Sequence, residues 1–78
     1  MNETKDDKTK VEGIVLEKLP DTLFKVEIND KGETLQILAY LAGNMKKNKI
    51  RVDIHDRVQV EIDKYVKQGG RGRIVRRG

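Results

Sequence analysis

Phe24-Lys25-Val26-Glu27-Ile28 alternates apolar and charged residues without a break, and Arg57-Val58-Gln59-Val60-Glu61-Ile62-Asp63 alternates as cleanly. Successive side chains of a strand point to opposite faces. Phe24, Val26 and Ile28, like Val58, Val60 and Ile62, therefore form buried faces, and the residues between them meet water. The chain must cover those faces within 78 residues, which leaves room for one small domain and no second. With 36% hydrophobic residues, one Phe, two Tyr and no Trp, the core is aliphatic, and the recurring Val and Ile favour strands.

The other segments fit the same pattern. Val11-Glu12-Gly13-Ile14-Val15-Leu16-Glu17 reads as a first strand, with Gly13 a bend or bulge. Leu19-Pro20-Asp21-Thr22 is a turn, since Pro20 fixes its own φ and keeps Leu19 out of the helical region. Asn29-Asp30-Lys31-Gly32 is a hairpin loop by composition, and Leu35, Ile37, Ala39 and Leu41 follow at period two as the inward side of a third strand. Leu38 and Tyr40 point outward, where they either contact a partner or, as the stronger expectation, pack under the loop that follows. Ala42 to Asn48 has room for a single helical turn, too short to hold without packing. Lys64 to Gly72 is a Gly-rich basic loop, and Arg73-Ile74-Val75-Arg76 makes a last short strand. Residues 1–9 contain no apolar residue after Met1 and are expected to form a mobile tail.

Five short strands with one buried face and no long helix cannot cover a flat sheet, so closure into a barrel is the economical solution. The expected fold is all-β: a five-stranded OB-fold barrel of S1-like type over residues 10–78, with one short helical turn between strands three and four. An SH3-like barrel is the alternative, though its aromatic-rich groove is missing.

Charge is unevenly placed along the chain. Residues 1–33 carry net −3, residues 34–63 net +1, and residues 64–78 six cations and no acid. No acid falls between Glu33 and Asp53, so Lys46, Lys47, Lys49 and Arg51, beside the amides of Asn44 and Asn48, form an uncancelled basic stretch. Such a stretch attracts a polyanion; the bland alternative is a solvated loop kept for solubility. Arg71, Arg73, Arg76 and Arg77 form a second basic stretch, with Tyr65 the only aromatic close to it.

In this order, the motifs resemble those of bacterial-type translation initiation factor one, in its bacterial and plastid forms. Val11 to Glu17 with Leu19 to Glu27 is similar to that family's opening hairpin. Ala39 to Arg51 is similar to its loop signature, Ile54 to Val58 to its approach to strand four, and Gly72 to Arg76 to its closing strand. The resemblance implies a five-stranded OB barrel that binds the small (30S) ribosomal subunit at the decoding (A) site. There it would lie on ribosomal RNA and the neighbouring ribosomal protein, beside initiation factors two and three. By position, Lys46, Lys47, Asn48 and Arg51 match the family's loop contacts, Tyr65 its late aromatic, and Arg73 and Arg76 its C-terminal basic residues. The chain departs from the family pattern at Asn44 (usually Lys), Lys49 (an aromatic), His55 (Gly) and Tyr40 (His). Lys49 keeps the loop basic.

The chemistry available to these residues is that of binding. Phosphate contacts from Lys and Arg release counterions and make affinity steeply salt-dependent. Arg also pairs phosphate bidentately or stacks on a base, so Arg51 and Arg73 are expected to place RNA and the lysines to attract it. Tyr65 either stacks a base or is a barrel-end Tyr with its hydroxyl bonded. No catalytic constellation, metal site or cofactor is expected. His55 beside Asp56 reads as a turn into strand four, and Gly69-Gly70-Arg71-Gly72 lacks the Lys-Ser/Thr continuation of a phosphate loop. The absence of cysteine, of an apolar leader and of a membrane-length run fits a soluble monomer of the cytosol or plastid stroma. A general single-strand RNA binder of cold-shock type is the alternative, opposed by its need for exposed aromatics.

Overall fold

The computed structural model describes residues 8–30, 32–47 and 51–77. Five strands, β1 (Lys8–Leu19), β2 (Leu23–Asp30), β3 (Glu33–Leu41), β4 (Arg57–Asp63) and β5 (Arg71–Arg77), close into a barrel in the order β1-β2-β3-β5-β4. One short helix, α1 (Gly43–Lys47), lies between β3 and β4. This is the OB-type arrangement expected. All neighbours are antiparallel except β3 and β5, which run parallel through Leu38–Arg71 to Leu41–Ile74.

The alternation seen in the sequence survives in the core. Val15, Phe24, Val26, Ile28, Ile37, Ala39, Val58, Val60, Ile62 and Ile74 are buried, and among the described residues no polar or charged side chain is buried with them. β1 closes the barrel by serving two partners: its first half pairs with β4 from Lys8–Asp63 to Ile14–Arg57, its second half with β2 from Gly13–Ile28 to Leu19–Leu23. To do so it must bend, and the bend is a bulge between Val15 and Glu17, not at Gly13. Gly13 answers a different demand. A Cβ there would stand 2.6 Å from Cγ1 of Val26 and 2.9 Å from Cγ2 of Ile28.

Element boundaries shift in three other places. β1 starts at Lys8, inside the stretch expected as tail; residues 1–7 lie outside the described residues. Asn29 and Asp30 belong to β2 rather than to the loop, Gly32 before β3 has φ 82°, and Lys31 lies outside the described residues. Arg71 and Gly72 belong to β5 rather than to the preceding loop, because Gly72 packs inward where a Cβ would meet Val60 at 2.7 Å and Ile37 at 2.9 Å. The turn after Pro20 has positive φ at both Asp21 and Thr22, the geometry that suits a tight hairpin, and is closed by Leu23 N–H donating to the Pro20 carbonyl at 3.3 Å.

Candidate nucleic-acid interface

β3 and β5 run parallel as far as Leu41 and Ile74, and α1 begins two residues after Leu41. Ala42 N–H donates to the Ile74 carbonyl at 2.9 Å, and the Met45 and Lys46 amides close the helical turn on the Ala42 carbonyl. A five-residue helix cannot stand alone in water, and Met45, 1% exposed within the core cluster, supplies the packing that holds it. With Met45 inward, Lys46 and Lys47 fall on the solvent side of the last turn. Both cations also suit the negative end of the helix dipole. Asn48 and Lys49 lie outside the described residues.

Beyond them, Arg51 is exposed and the next residue, Val52, is buried. The chain is then held by a turn in which Asp53 N–H donates to the Asp56 carboxylate at 2.8 Å and Asp56 N–H returns to the Asp53 carbonyl at 3.1 Å. His55 sits in this turn at φ 73°, bonded through its amide to the Val15 carbonyl at 2.7 Å, as a turn residue and not an acid–base pair with Asp56. Positive φ favours Gly and is tolerated by His, so His55 is accommodated here. Two ion pairs complete the hold: Lys18 Nζ to Asp53 at 3.0 Å, and Arg77 Nε to Asp56 at 3.7 Å. The Lys18 hydrogen bond, and then its charge, hold the Asp53 carboxyl below the usual carboxylate range.

These pairs divide the cations. Lys18, Lys25, Arg73 and Arg77 each face an acid, whereas the other described cations, Lys46, Lys47, Arg51, Arg71 and Arg76 as well as Lys8, Lys10, Arg57, Lys64 and Lys67, have no acidic partner within ion-pair distance among the described residues. Lys46, Lys47 and Arg51 lie together at the α1 end of the barrel, where β5 also brings Arg76, in register with Gln59. Arg71 and Arg73 lie earlier on β5, facing outward on either side of buried Gly72. Arg73 donates to Glu61, its cross-strand partner, at 2.6 Å, so it is already oriented and partly neutralised.

Tyr65 is not part of the α1 end. It follows the far end of β4, seven residues or roughly 20 Å away at about 3.3 Å per residue. It is 71% exposed, and among the described residues its one hydrogen bond comes from the backbone, Tyr65 N–H to Asp63 at 2.9 Å. Tyr65 is thus a barrel-end residue whose hydroxyl has no hydrogen-bond partner among the described residues.

Leu38 and Tyr40 differ from the stronger expectation. Neither is tucked under the described part of the basic loop: Leu38 borders a recess with Lys25, Gln36, Gln68 and Gly69, and Tyr40, 43% exposed, borders another with Arg71 and Arg73. The parallel register is the reason, since it sets Leu38 beside Arg71 and Tyr40 beside Arg73 on the outer face. The weaker expectation for Tyr40, an outward position open to a partner, agrees with its exposure. Its outward parity on the third strand was the available signal. Two of the chain's three aromatic residues are therefore exposed, which removes part of the objection to a stacking mode of RNA binding.

A closed five-stranded barrel with one short helix between its third and fourth strands defines an OB-type protein by class. Similarity to known proteins narrows this. A family model described as Translation initiation factor 1A / IF-1 matches residues 1–78. Translation initiation factor IF-1 of Rhodospirillum rubrum is 39% identical over 61 residues, 78% of this chain and 61% of that protein. The chain thus spans about three-fifths of the length of that curated relative. The solution structure of translation initiation factor one from the Wolbachia endosymbiont of Brugia malayi superposes with a TM-score of 0.66 at 34% identity, covering 99% of this chain and 85% of that one. The chain belongs to the translation initiation factor 1A / IF-1 family, a family of non-enzymatic factors.

Proposed function

We propose that this chain binds the small (30S) ribosomal subunit at the decoding A site, contacts ribosomal RNA and the ribosomal protein of the decoding centre there, and assists initiation factors two and three. It works in the cytoplasm, or in a plastid stroma, as a monomer when free, by shape and charge and without a cofactor. The observation that carries this reading, beside the family, is the α1 end: Lys46, Lys47 and Arg51 exposed, without acidic partners among the described residues, on a segment pinned by Met45 and Val52. Pinning matters because a pre-positioned cation loses less entropy when it meets phosphate. Lys46 and Lys47 attract the polyanion, while Arg51 and Arg73 place it, with Asn48, Lys49, Arg71, Arg76 and Tyr65 around them.

The second reading, a general single-stranded RNA binder, is favoured by the exposure of Tyr40 and Tyr65. A salt series of binding to isolated small subunits, with an unstructured RNA of equal length as competitor, separates the two. Saturable binding that the competitor does not displace supports the decoding-site reading; equal affinity for the loose RNA supports the other. Lys46→Glu with Lys47→Glu is expected to abolish subunit binding and leave thermal unfolding nearly unchanged. A double variant that still binds removes α1 from the interface.

A further inference from the structure

The outward residues of β4 divide a basic face of the barrel. Lys8 and Lys10 stand on β1 to one side, Arg71 and Arg73 on β5 to the other, and β4 turns Glu61 and Asp63 outward between them. Glu61 is in register with Lys10 on one neighbour and with Arg73 on the other. Among the described residues only Arg73 comes close enough to pair with it, at 2.6 Å. Asp63 is engaged by the backbone, accepting from Tyr65 N–H at 2.9 Å. Glu61 is thus an acid set into a cation-rich face and fixed there by one of the arginines it neutralises.

A phosphate that reaches Arg73 from the Glu61 side must replace a charge-assisted hydrogen bond and then lie beside a carboxylate of like charge. Arg73 engages Glu61 through Nη2, and a guanidinium also carries donors on Nε and Nη1. A phosphate arriving from the side away from Glu61 can therefore be bonded without breaking the pair, so direction of approach decides whether Arg73 attracts. A loose strand gains affinity by summing phosphate contacts wherever cations stand, and Glu61 lowers that sum. A folded site holds its phosphates in fixed places and can set a donor opposite the carboxylate. Specificity is a difference of affinities, and a repelling group inside a binding face enlarges it.

We propose that Glu61 is a specificity-determining residue: it withholds Arg73 from the phosphates of unstructured RNA and admits a folded RNA site whose groups match the Glu61–Arg73 pair. This rests on the proposed ribosome-binding function and deepens it. The α1 end supplies attraction, and the pair supplies discrimination.

The test uses the full chain with two probes, an unstructured cytidine–adenosine octaribonucleotide and isolated small subunits, each titrated across a salt series. Glu61→Gln keeps the shape of the side chain and removes its charge. It is expected to tighten octaribonucleotide binding about fivefold and to steepen the log–log salt slope by about 0.7, the value for one more neutralised phosphate. Subunit binding is expected to move by less than about twofold. Glu27→Gln removes the same charge from β2, which borders neither β4 nor β5, and is expected to move neither probe by more than about twofold. In an Arg73→Ala background, Glu61→Gln is expected to change octaribonucleotide binding by less than about twofold, because the pair is already gone. The inference is overturned if Glu61→Gln leaves octaribonucleotide binding unchanged or weakens it, if Glu27→Gln tightens it equally, or if the full effect survives in the Arg73→Ala background. Subunit binding that tightens as much as octaribonucleotide binding overturns it too, since Glu61 would then discriminate nothing. If the wild type itself does not bind subunits, the proposed function fails, and the octaribonucleotide cycle between Glu61 and Arg73 still decides whether the pair withholds Arg73 from RNA.

Discussion

In the barrel wall the inward positions of the strands are apolar or glycine, whereas the stretch from α1 to Asp56 enters the core through Met45 and Val52, and its described part is otherwise held by backbone bonds of His55 and Asp56 to Val15 and by the surface links Lys18–Asp53 and Arg77–Asp56. The wall is specified many times over by repeated alternation. The basic end hangs on two buried side chains and a turn. That difference separates stability from binding: charge at Lys46, Lys47 and Arg51 can change without touching a packed atom, while the loss of one anchor disturbs both. It also lets Lys46, Lys47 and Arg51 stand without an acid within ion-pair distance among the described residues, since none of them is asked to pack.

The sharpest way to break the comparison is at Met45. Met45→Ala is expected to cost about 2–5 kcal/mol in denaturant unfolding, the range for a large buried apolar side chain, and to weaken RNA binding as α1 loses its anchor. A cost near zero would show that the helix is held by something other than the core. Next in size is the wall itself. Gly72→Ala places a methyl 2.7 Å from Val60 and 2.9 Å from Ile37 and is expected to cost about 1–3 kcal/mol by overpacking, with RNA binding preserved in the fraction that remains folded.

The smallest effect belongs to the ion pair under the basic end. Lys18 holds the folded-state pKa of Asp53 below its ordinary value of 3.8, so the link stabilises fully above that value and is lost as pH falls through the lower folded one. Asp53→Asn is therefore expected to melt slightly below the wild type at neutral pH, and the two melting curves are expected to converge in acid. Exposure of both partners keeps the gap small. A gap that widened in acid would reverse the assignment.

Much of the wall was legible because its signal is local. The parity of Phe24, Val26 and Ile28, the turn at Pro20 and the helical turn after Ala42 each depend on residues within a few positions of one another. The two glycines show the limit. Gly13 was read as a bend, but its small size is required by Val26 and Ile28 on the next strand, and the bulge came three residues later. Gly72 was read as loop, yet it faces Val60, Ile37 and Ile62 in the core. In the candidate interface, the exposure of Lys46, Lys47 and Arg51 followed from charge alone. The splitting of the arginines did not, since Arg73 and Glu61 meet across two strands, 12 positions apart.

What the sequence by itself determined was the all-β class, the inward face of each strand and the basic stretch after the third strand, because period-two burial and net charge are properties of neighbours along the chain. Which cations meet an acid, that Tyr65 stands at the end of the barrel opposite α1, and that Tyr40 shares a face with Arg71 and Arg73 were decided only by the tertiary structure. The parallel pairing of β3 with β5 brings together residues more than 30 positions apart, and no local pattern specifies such a register.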